Sequence, residues 1–459
     1  MAHDCAFLQD LSLTAQQVSF EPEKLAEFST DYGTTEEAAQ VPDAVVWPET
    51  TADVAAVLAA ANERGTPVTP YAAGSSTESN AVPAQGGITL SMTQMDSVRD
   101  FRPGDMQVDV EPGMIGDTLN EYVGEEGLFV PAFPQSAAFS TIGGMIANDA
   151  SGIRTVKYGE VSDWVLGLEV VLADGTVTEL GSNARKTSAG YNLQDLFVGS
   201  EGTLGVITRA TLDLAVKPKE TVGGQVTFET LTDATAAISE AIHSGIDVAT
   251  IELIDSLTAE IASAYAESGL PVSPMIFFEI HGRCTDAELE ALREVFEAHN
   301  ATQIETSKDD DEMAALWRAR REIGHALKEW DPNRELETVG DITVPIGSYS
   351  EMISFIGETA AEYDLPIPAF GHAGDGNAHY AILCDRDDAA ELERAREASK
   401  QIIQEAIDHG GTCTGEHGIG LGKREYLQME QDASALETMQ RIKQTLDPNG
   451  ILNPGKIFE

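Results

Sequence analysis

The stretch PQSAAFSTIGGMIANDASGIRTVKYG (134–159) carries two consecutive glycines shortly after a serine and a threonine. Gly143 and Gly144 permit close approach to the backbone, because neither carries a side chain. Ser140 or Thr141 is suited to cap the short helix that follows, and the N-terminus of a helix favours an anion. The stretch therefore predicts a turn that a phosphate-bearing ligand can approach, with an ordinary structural turn as the alternative.

Two further loops of small residues lie in the same half of the chain. They are PYAAGSST (70–77), which directly follows a predicted strand, and FVGSEGTLGVIT (197–208). Consecutive backbone N–H groups in such loops can form an anion-binding nest. Three loops of this kind imply one large ligand lying across them, although fully structural loops remain the alternative. No G-x-G-x-x-G follows a strand and opens a helix, which argues against a Rossmann nicotinamide site.

A divided polar cluster lies near the C-terminus. GHAGDGNAH (371–379) contributes His372 and His379, and GTCTGEHGIGLGK (411–423) contributes Glu416. Two imidazoles and one carboxylate form a three-ligand set that leaves metal positions open, and Zn²⁺, Mn²⁺ or Fe²⁺ all tolerate it. Two hydrogen-bonded loop histidines are the alternative.

His417 follows Glu416 directly, and its reference pKa of about 6.5 suits proton abstraction near neutrality, with a solvent-facing loop histidine as the alternative. Neighbours in a regular strand face opposite sides, so both can serve one pocket only where the backbone is irregular. The flanking Gly415 and Gly418 favour such an irregular backbone. Asp375 is a candidate partner that orients an imidazole, or else a turn residue.

The charge balance is strongly acidic: 28 Lys and Arg residues stand against 77 Asp and Glu residues, for a net charge of −49. Self-repulsion at this charge destabilises a compact state in dilute buffer, and molar salt screens it. The composition therefore predicts a halophilic protein that needs salt to fold, with an ordinary solvated acidic face as the alternative. Nucleic acid is excluded as a partner, because no basic stripe exists to neutralise phosphates.

The remaining composition predicts a cytoplasmic protein. The four cysteines (5, 284, 384 and 413) form no C-x-x-C pair and read as reduced thiols. We expect no membrane span and no export signal, since neither a long apolar run nor a basic start followed by an apolar segment occurs. Peripheral association with the inner face of the membrane stays open.

The pattern along the chain predicts two domains. Residues 44–80 read as strand, helix, strand and loop, with Thr50 or Thr51 capping the helix and Gly65 ending it. Short strands and helices mix up to about residue 215, which is an α+β pattern. KPKETVG (217–223) looks like a boundary, and strands alternating with longer helices follow. This predicts an α/β domain with one large sheet and helices on a face.

Several strings, in order, resemble the FAD-dependent D-2-hydroxyacid dehydrogenases, which have the flavin fold of the vanillyl-alcohol oxidase type. The strings are TIGGMIAND, GSEGTLGVIT, GHAGDGNAH, GEHGIGLGK and DPNGILNPGK, and the matches span about residues 41–457. RKTSAGYNLQDLFVGSEGTLG (185–205) and LWRARREI (316–323) look most like the D-lactate dehydrogenase branch. The glycolate oxidase FAD subunit is similar as well.

The resemblance implies a two-part FAD-binding domain (1–220, with 424–459 returning to it) and a substrate- and metal-binding cap domain (221–423). The FAD pyrophosphate would lie on the 71–77 loop and the 141–144 turn. The implied FAD-binding residues are Tyr71, Ala72, Ala73, Gly74, Ser75, Ser76, Pro134, Ser136, Thr141, Gly143, Gly144, Asn148, Ser151, Gly152, Tyr158, Glu201, Ile207 and Asn453.

The resemblance also implies the reaction. A metal on His372, His379 and Glu416 would acidify the substrate's 2-hydroxyl, His417 would take its proton, and hydride would move to flavin N5. Arg320 would bind the substrate carboxylate through a bidentate fork. By the resemblance, relatives that oxidise dicarboxylates carry a lysine just before the strand that reads VGDITVP (339–345) here. This chain has Val339 and Gly340 there, so a small monocarboxylate such as D-lactate is expected.

Other functions stay open. They are a glycolate oxidase FAD subunit, another D-2-hydroxyacid dehydrogenase, an FAD-binding transferase without net redox chemistry, and a non-catalytic subunit of a complex. The electron acceptor would be a quinone or a carrier protein, since no haem, iron–sulfur or nicotinamide motif occurs in the sequence. A homodimer is compatible with the resemblance.

Overall fold

The computed structural model describes residues 3–34, 38–266 and 269–458, and every structural statement below concerns those residues. The strands are β1 (Val18–Ser19), β2 (Ala44–Val46), β3 (Val68–Tyr71), β4 (Ile88–Ser91), β5 (Val98–Arg102), β6 (Gln107–Val110), β7 (Leu128–Phe129), β8 (Val165–Val171), β9 (Val177–Gly181), β10 (Val206–Asp213), β11 (Ala215–Val216), β12 (Glu220–Phe228), β13 (Val248–Ile254), β14 (Met275–Gly282), β15 (Ala301–Ser307), β16 (Glu335–Thr343), β17 (Ala369–Gly371) and β18 (Asn377–Cys384).

The helices are α1 (Pro22–Ala26), α2 (Thr51–Arg64), α3 (Gly116–Gly124), α4 (Ile142–Asn148), α5 (Thr155–Tyr158), α6 (Gln194–Phe197), α7 (Leu231–His243), α8 (Ser256–Ala266), α9 (Asp286–Ala298), α10 (Asp310–Leu316), α11 (Arg318–Arg321), α12 (Ile323–Glu329), α13 (Tyr349–Tyr363), α14 (Ala389–Asp408), α15 (Arg424–Glu430) and α16 (Ala433–Leu446). In the described part of the chain, none of these helices has both the length and the apolar character needed to cross a membrane.

The chain divides into two compact units. The first unit comprises Met1–Ser151, Glu160–Lys217 and Glu416–Glu459, and the second comprises Gly152–Gly159 and Pro218–Gly415. Residues 416–423, which the sequence assigned to the cap domain, thus belong to the first unit. The break at Lys217 falls in the KPKETVG segment.

The first unit contains a four-stranded sheet in the order β1-β2-β4-β3 and a five-stranded sheet in the order β5-β6-β10-β8-β9. The strand–helix–strand pattern of residues 44–80 is confirmed: α2 begins after Thr50, whose side chain accepts a hydrogen bond from the Asp53 amide. Gly65 ends α2 in the left-handed conformation, with φ +64°. In this unit residues 72–77 of the 70–77 loop directly follow β3.

The C-terminal segment completes the first unit. Leu452 forms a parallel bridge with Val68 of β3, and the Val68 amide donates to the Ile451 carbonyl at 2.7 Å. Asn453 donates from Nδ2 to the carbonyls of Asn80 (3.0 Å) and Glu201 (2.7 Å). Ile451 and Leu452 join the buried core that contains α2 and β4.

The second unit contains a seven-stranded antiparallel sheet in the order β15-β12-β14-β13-β17-β18-β16. Helices cover both faces, as successive residues of β14 show. Phe277 packs against Trp317 (ring centroids 5.6 Å apart), which directly follows α10, and Phe278 packs against Phe296 of α9 (5.6 Å). Because both faces are covered, β13 and β18 are buried along their full length. A tight turn with Gly376 at φ +86° joins β17 and β18.

Candidate active site

Two of the small-residue loops lie side by side in the first unit. Ser140 Oγ lies 2.9 Å from Ser75 Oγ in the 70–77 loop and 2.8 Å from Ser136 Oγ. A Cβ on Gly144, in the first turn of α4, would lie 3.3 Å from the Cβ of Ala72. The helix cap is Thr141, whose Oγ1 accepts from the Gly144 amide at 3.3 Å. The structure therefore brings the two predicted pyrophosphate-binding segments together.

Gly143 shows why this turn needs glycine. A Cβ at that position would lie 2.4 Å from the Cβ of Pro112 and 3.1 Å from its Cα. Real Cβ atoms do not approach so closely, and the backbone of Pro112 cannot move aside as a flexible side chain could. Glycine is thus required for α4 to pack against the strand connection that precedes it.

The third loop joins the same group through Glu201. The Glu201 amide donates to the Ala147 carbonyl at 2.7 Å, and a Cβ on Gly202 would lie 2.9 Å from Pro70. The Glu201 side chain is buried, and burial raises the pKa of its carboxyl. All three loops are thus adjacent, as a single ligand lying across them requires.

Glu201 also fastens the segment that carries Glu416 and His417. Its two carboxylate oxygens accept from the amides of Ile419 (2.7 Å) and Gly420 (2.9 Å). The backbone of this segment is irregular, with Gly418 at φ +75°. Such a backbone is the condition under which Glu416 and His417 can serve one pocket.

Two asparagines hold the same segment from the other side. Asn148 Nδ2 donates to the Glu416 carbonyl at 2.7 Å. Asn80 Nδ2 lies 2.8 Å from Glu201 Oε2 and 3.3 Å from the His417 carbonyl. The side chain of Asn148 thus binds protein backbone, and its predicted contact with FAD remains a prediction.

The other predicted FAD-binding residues of the first unit occupy varied settings. Tyr71 Oη donates to the Thr30 carbonyl at 3.2 Å, and Ser151 Oγ donates to Glu416 Oε2 at 3.3 Å. Ile207 is buried in β10. Ala73 is exposed, whereas Ala72, Gly74, Ser75 and Ser76 are half-buried. Small, partly exposed side chains on three adjacent loops fit a dinucleotide, so this part of the first unit is suited to hold FAD.

Two predicted FAD-binding residues, Gly152 and Tyr158, belong to the second unit. There Tyr158 Oη lies 3.0 Å from His281 Nδ1, whose other nitrogen lies 3.2 Å from Glu279 Oε2. Burial raises the pKa of the Tyr158 hydroxyl. Their role towards FAD stays a prediction.

In the second unit, His372 directly follows β17 and His379 is the third residue of β18, with ring centroids 5.1 Å apart. Each ring has a buried carboxylate beside Nδ1: Glu252 Oε1 at 2.7 Å from His372 and Asp341 Oδ1 at 3.5 Å from His379. Sheet register explains both pairs, because Asp341 is the direct cross-strand partner of His379 and Glu252 precedes Leu253, the partner of Gly371. Metal-binding imidazoles characteristically carry such a carboxylate on the second nitrogen.

Asp341 is held on several sides. Its oxygens accept from Asn377 Nδ2 (2.8 Å), the Gly415 amide (2.8 Å) and Thr414 Oγ1 (3.1 Å). Asp375 accepts from the Asn377 amide at 3.2 Å within the turn, and its role as the partner of an imidazole stays a prediction. Asp341 and Glu252 thus flank the two histidines.

Arg320 lies in α11 and is 4% exposed, whereas Arg318 and Arg321 are exposed. Its Nε and Nη2 donate to Glu252 Oε2 at 3.1 and 2.5 Å, and its guanidinium lies 5.6 Å from the centre of the Phe370 ring. The predicted carboxylate-binding arginine therefore shares a carboxylate with a predicted metal-binding histidine.

The buried hydroxyl of Tyr349 is affected by the charges of Glu252 and Arg320. Tyr349 is 1% exposed, and within the described residues its Oη finds no hydrogen-bond partner. Burial raises the pKa of Tyr349, and the charges of Glu252 and Asp375 raise it further. An unsatisfied hydroxyl beside Arg320 and Glu252 suits a polar ligand in the second unit.

Glu252 is the main residue that the sequence analysis missed. It stands in VATIELI (248–254), which reads as an apolar strand and is fully buried. A lone acidic residue in such a strand was the available signal, because buried charges are paired or coordinate metals. Its partners follow 68 and 120 positions later, so only the folded sheet reveals them.

Family models and relatives agree on the class of protein. Residues 42–181 match the model of an FAD binding domain, and residues 217–457 match the C-terminal domain of FAD linked oxidases. The fold is that of the vanillyl-alcohol oxidase type, as two solved structures show. 4-Ethylphenol oxidase from Gulosibacter chungangensis superposes with a TM-score of 0.78 at 20% identity, covering 99% of this chain and 96% of its own. p-Cresol methylhydroxylase gives a TM-score of 0.79 at 20% identity, covering 96% and 94%.

Relatives of higher identity narrow the class to one family. D-lactate dehydrogenase [cytochrome] of Arabidopsis thaliana mitochondria is 37% identical over 92% of this chain and 74% of its own length. Glycolate oxidase subunit GlcD of Bacillus subtilis is 36% identical over 93% and 91%. The chain belongs to the FAD-linked oxidases of the D-lactate dehydrogenase and GlcD type. The predicted α+β flavin fold, FAD binding and family membership are thereby confirmed.

Proposed function

We propose that this protein oxidises a D-2-hydroxy acid to the 2-oxo acid with reduction of FAD, and that D-lactate, giving pyruvate, is its substrate. The reaction removes two electrons from C2, and the hydroxyl proton passes to a base. The observation that carries the proposal is the buried Arg320 beside Glu252 and His372, because it puts a carboxylate-binding cation next to a predicted metal-binding imidazole.

Gly340 supports a small monocarboxylate. It is the direct cross-strand partner of Tyr380, and a Cβ at Gly340 would lie 2.0 Å from that ring. No side chain fits there, so the position that resembles the lysine of dicarboxylate-oxidising relatives holds no cation. We therefore propose that 2-hydroxyglutarate is a poor substrate.

Each candidate site residue has a separate role in the proposed reaction. Arg320 binds and orients the substrate carboxylate, and His417 accepts the hydroxyl proton. His372, His379 and Glu416 would hold a divalent ion, Zn²⁺, Mn²⁺ or Fe²⁺, which when bound acidifies the hydroxyl and makes its proton easier to remove. The loops around Ser75, Thr141 and Glu201 hold FAD, which accepts the hydride when bound.

The test is anaerobic flavin reduction by the purified yellow protein in molar salt. D-lactate, L-lactate, glycolate and D-2-hydroxyglutarate are added separately, and loss of the oxidised flavin band is followed. We expect D-lactate to bleach the flavin fastest. Bleaching by glycolate but not by D-lactate would show that glycolate is the substrate and that the D-lactate assignment is wrong. Glycolate is the second candidate because of the similarity to the Bacillus subtilis relative.

Failure of every hydroxy acid to bleach the flavin would point to a transferase or a non-catalytic subunit and would overturn the proposal. Metal removal by a chelator should abolish bleaching by D-lactate, and unchanged bleaching in the stripped protein would refute the metal assignment. A quinone and a carrier protein are then compared as reoxidants of the reduced flavin.

A further inference from the structure

Glu252 is the one side chain of β13 whose carboxylate contacts both Arg320 and His372. It is 0% exposed, and both of its oxygens are engaged. Oε2 accepts from Nε and Nη2 of Arg320 at 3.1 and 2.5 Å, and Oε1 lies 2.7 Å from His372 Nδ1. One carboxylate therefore contacts a proposed substrate-binding residue and a proposed metal-binding residue at once.

The contact with His372 decides which ring nitrogen can bind a metal. A carboxylate is an acceptor only, so Nδ1 must carry the hydrogen that lies between it and Oε1. In a neutral imidazole the lone pair then resides on Nε2, the nitrogen turned away from Glu252. The pair thus presents Nε2 as the ligand atom.

The contact with Arg320 decides how the guanidinium is turned. Glu252 takes Nε and Nη2, which lie along one edge of the guanidinium, and the Phe370 ring lies 5.6 Å from its centre. The plane and rotation of the guanidinium are therefore fixed, because a fork held along one edge cannot rotate. Nη1 is the nitrogen left for a second carboxylate.

We propose that Glu252 is a positioning residue that sets, through a single carboxylate, both the metal-binding nitrogen of His372 and the orientation of Arg320 towards the substrate carboxylate. The inference rests on the proposed function, because it assumes those two roles. Asp341 lies 3.5 Å from His379 Nδ1, whereas Glu252 contacts both His372 and Arg320, so we assign the link between metal and substrate binding to Glu252.

Glu252→Gln tests the link, because glutamine offers one acceptor oxygen and one donor NH₂. Arg320 can only donate and so takes the oxygen, which leaves the NH₂ group facing His372 Nδ1. That nitrogen must then accept, and its hydrogen moves to Nε2, where it blocks the metal. We expect the Kd for Zn²⁺, measured by competition with a chromophoric chelator on the FAD-loaded protein, to rise about 10–100-fold.

The matched control is Glu337→Gln. Glu337 is a largely buried glutamate of β16 in the same sheet, 2.9 Å from Arg386, and it touches neither His372 nor Arg320. Its variant should bind Zn²⁺ as the wild type does. Saturating Zn²⁺ should restore turnover of D-lactate by Glu252→Gln, which general damage to the fold would prevent. An unchanged Kd, or a loss of turnover that saturating Zn²⁺ does not restore, overturns the inference.

A double variant separates the effect of Glu252 on His372 from its effect on Arg320. It also keeps the proposal testable if the single variant folds poorly. With Arg320→Met added to Glu252→Gln, the amide oxygen is available to His372 Nδ1 again. Zn²⁺ affinity should return close to the wild-type value, while KM for D-lactate should exceed that of the wild type because the guanidinium is gone. Zn²⁺ affinity as weak as in Glu252→Gln contradicts the proposed tautomer. If none of the hydroxy acids reduces the flavin of the wild-type protein, the proposed function is overturned. The comparison of Zn²⁺ affinities still tests the role of Glu252 in that case.

Discussion

Two buried glutamates, one in each unit, are satisfied in opposite ways. Glu201 of the first unit accepts from the amides of Ile419 and Gly420 and from Asn80, all of them neutral donors. Glu252 of the second unit faces the charged guanidinium of Arg320 and the ring of His372. Neutral backbone donors fix a segment of chain, whereas ionisable side chains fix each other. The kind of donor therefore distinguishes a fastening carboxylate from one that organises a site.

The largest expected effect concerns the segment that Glu201 fastens. His417→Ala should lower kcat with D-lactate about 10²–10⁴-fold, the usual contribution of a general base. The segment should keep its place, because Asn148, Asn80 and Glu201 bind its backbone and the variant keeps that backbone. Stopped-flow flavin reduction measures the first expectation, and retained flavin absorbance measures the second. Loss of FAD together with activity would mean that the ring itself supports the fold.

Arg320→Met should cost about 3–5 kcal/mol of the free energy of unfolding, since it leaves the carboxylate of Glu252 buried without its cation. Urea denaturation in molar salt measures this loss. Arg318→Met, in the same helix but exposed, serves as the control and should change stability little. Equal losses in the two variants would show that Glu252 does not depend on Arg320.

A smaller, pH-dependent effect is expected at Lys456, whose charge acts on Glu201. Burial lowers the pKa of Lys456 to about 8 from the 10.5 of the exposed side chain. Between pH 8 and 10.5 the unfolded chain therefore binds the proton of Lys456 more tightly than the folded chain does. The free energy of unfolding of the wild type relative to Lys456→Met should rise with pH across this window, and this gain is lost as the pH falls through 8. The rise should total about 3 kcal/mol.

The comparison must be a difference between the two proteins, because Cys5 acts in the opposite direction. Burial raises the pKa of Cys5 to about 12, so its contribution to stability falls as pH rises above 9. Cys5 is present in both proteins and cancels. Parallel stability curves for the wild type and Lys456→Met from pH 7 to 10.5 would contradict a depressed pKa at Lys456.

The smallest effect is expected for Glu201→Gln, about 1–3 kcal/mol in unfolding free energy. Glutamine has one acceptor oxygen, so one of the two amides, Ile419 or Gly420, loses its partner. Hydrogen exchange at these amides should accelerate, while Zn²⁺ affinity stays above that of Glu252→Gln. If Glu201→Gln weakens Zn²⁺ as much as Glu252→Gln does, the contrast between the two glutamates fails.

Much of the fold could be predicted from local sequence. The cap of α2 at Thr50, its end at Gly65 and the turn at Gly376 all depend on residues within a few positions of one another. The three glycine-bearing loops could be named for the same reason. Their adjacency could not, since Ser140 meets Ser75 across 65 residues.

Candidate site residues of a conspicuous type could be named from the sequence. A residue whose partners depend on the pairing of strands could not. Histidines and an arginine stand out in a sequence, and His372, His379 and Arg320 were named from their motifs. Glu252 sits inside an apolar strand and gains its partners only when β13, β17 and α11 assemble. The attachment of residues 416–423 to the first unit was hidden for a similar reason, because the hydrogen bonds of Ile419 and Gly420 to Glu201 span more than 200 residues.

The parallel bridge between Val68 and Leu452 has a consequence for biosynthesis. The amino-terminal half of the flavin-binding unit leaves the ribosome long before Ile451, Leu452 and Asn453 exist, and its core lacks them until they have been made. The inserted unit, Pro218–Gly415, is made without interruption and can fold while the chain is still growing. The core of the first unit is therefore completed only after the inserted segment has been made, and trimming the DPNGILNPGK segment should leave the first half exposed to chaperones and proteases.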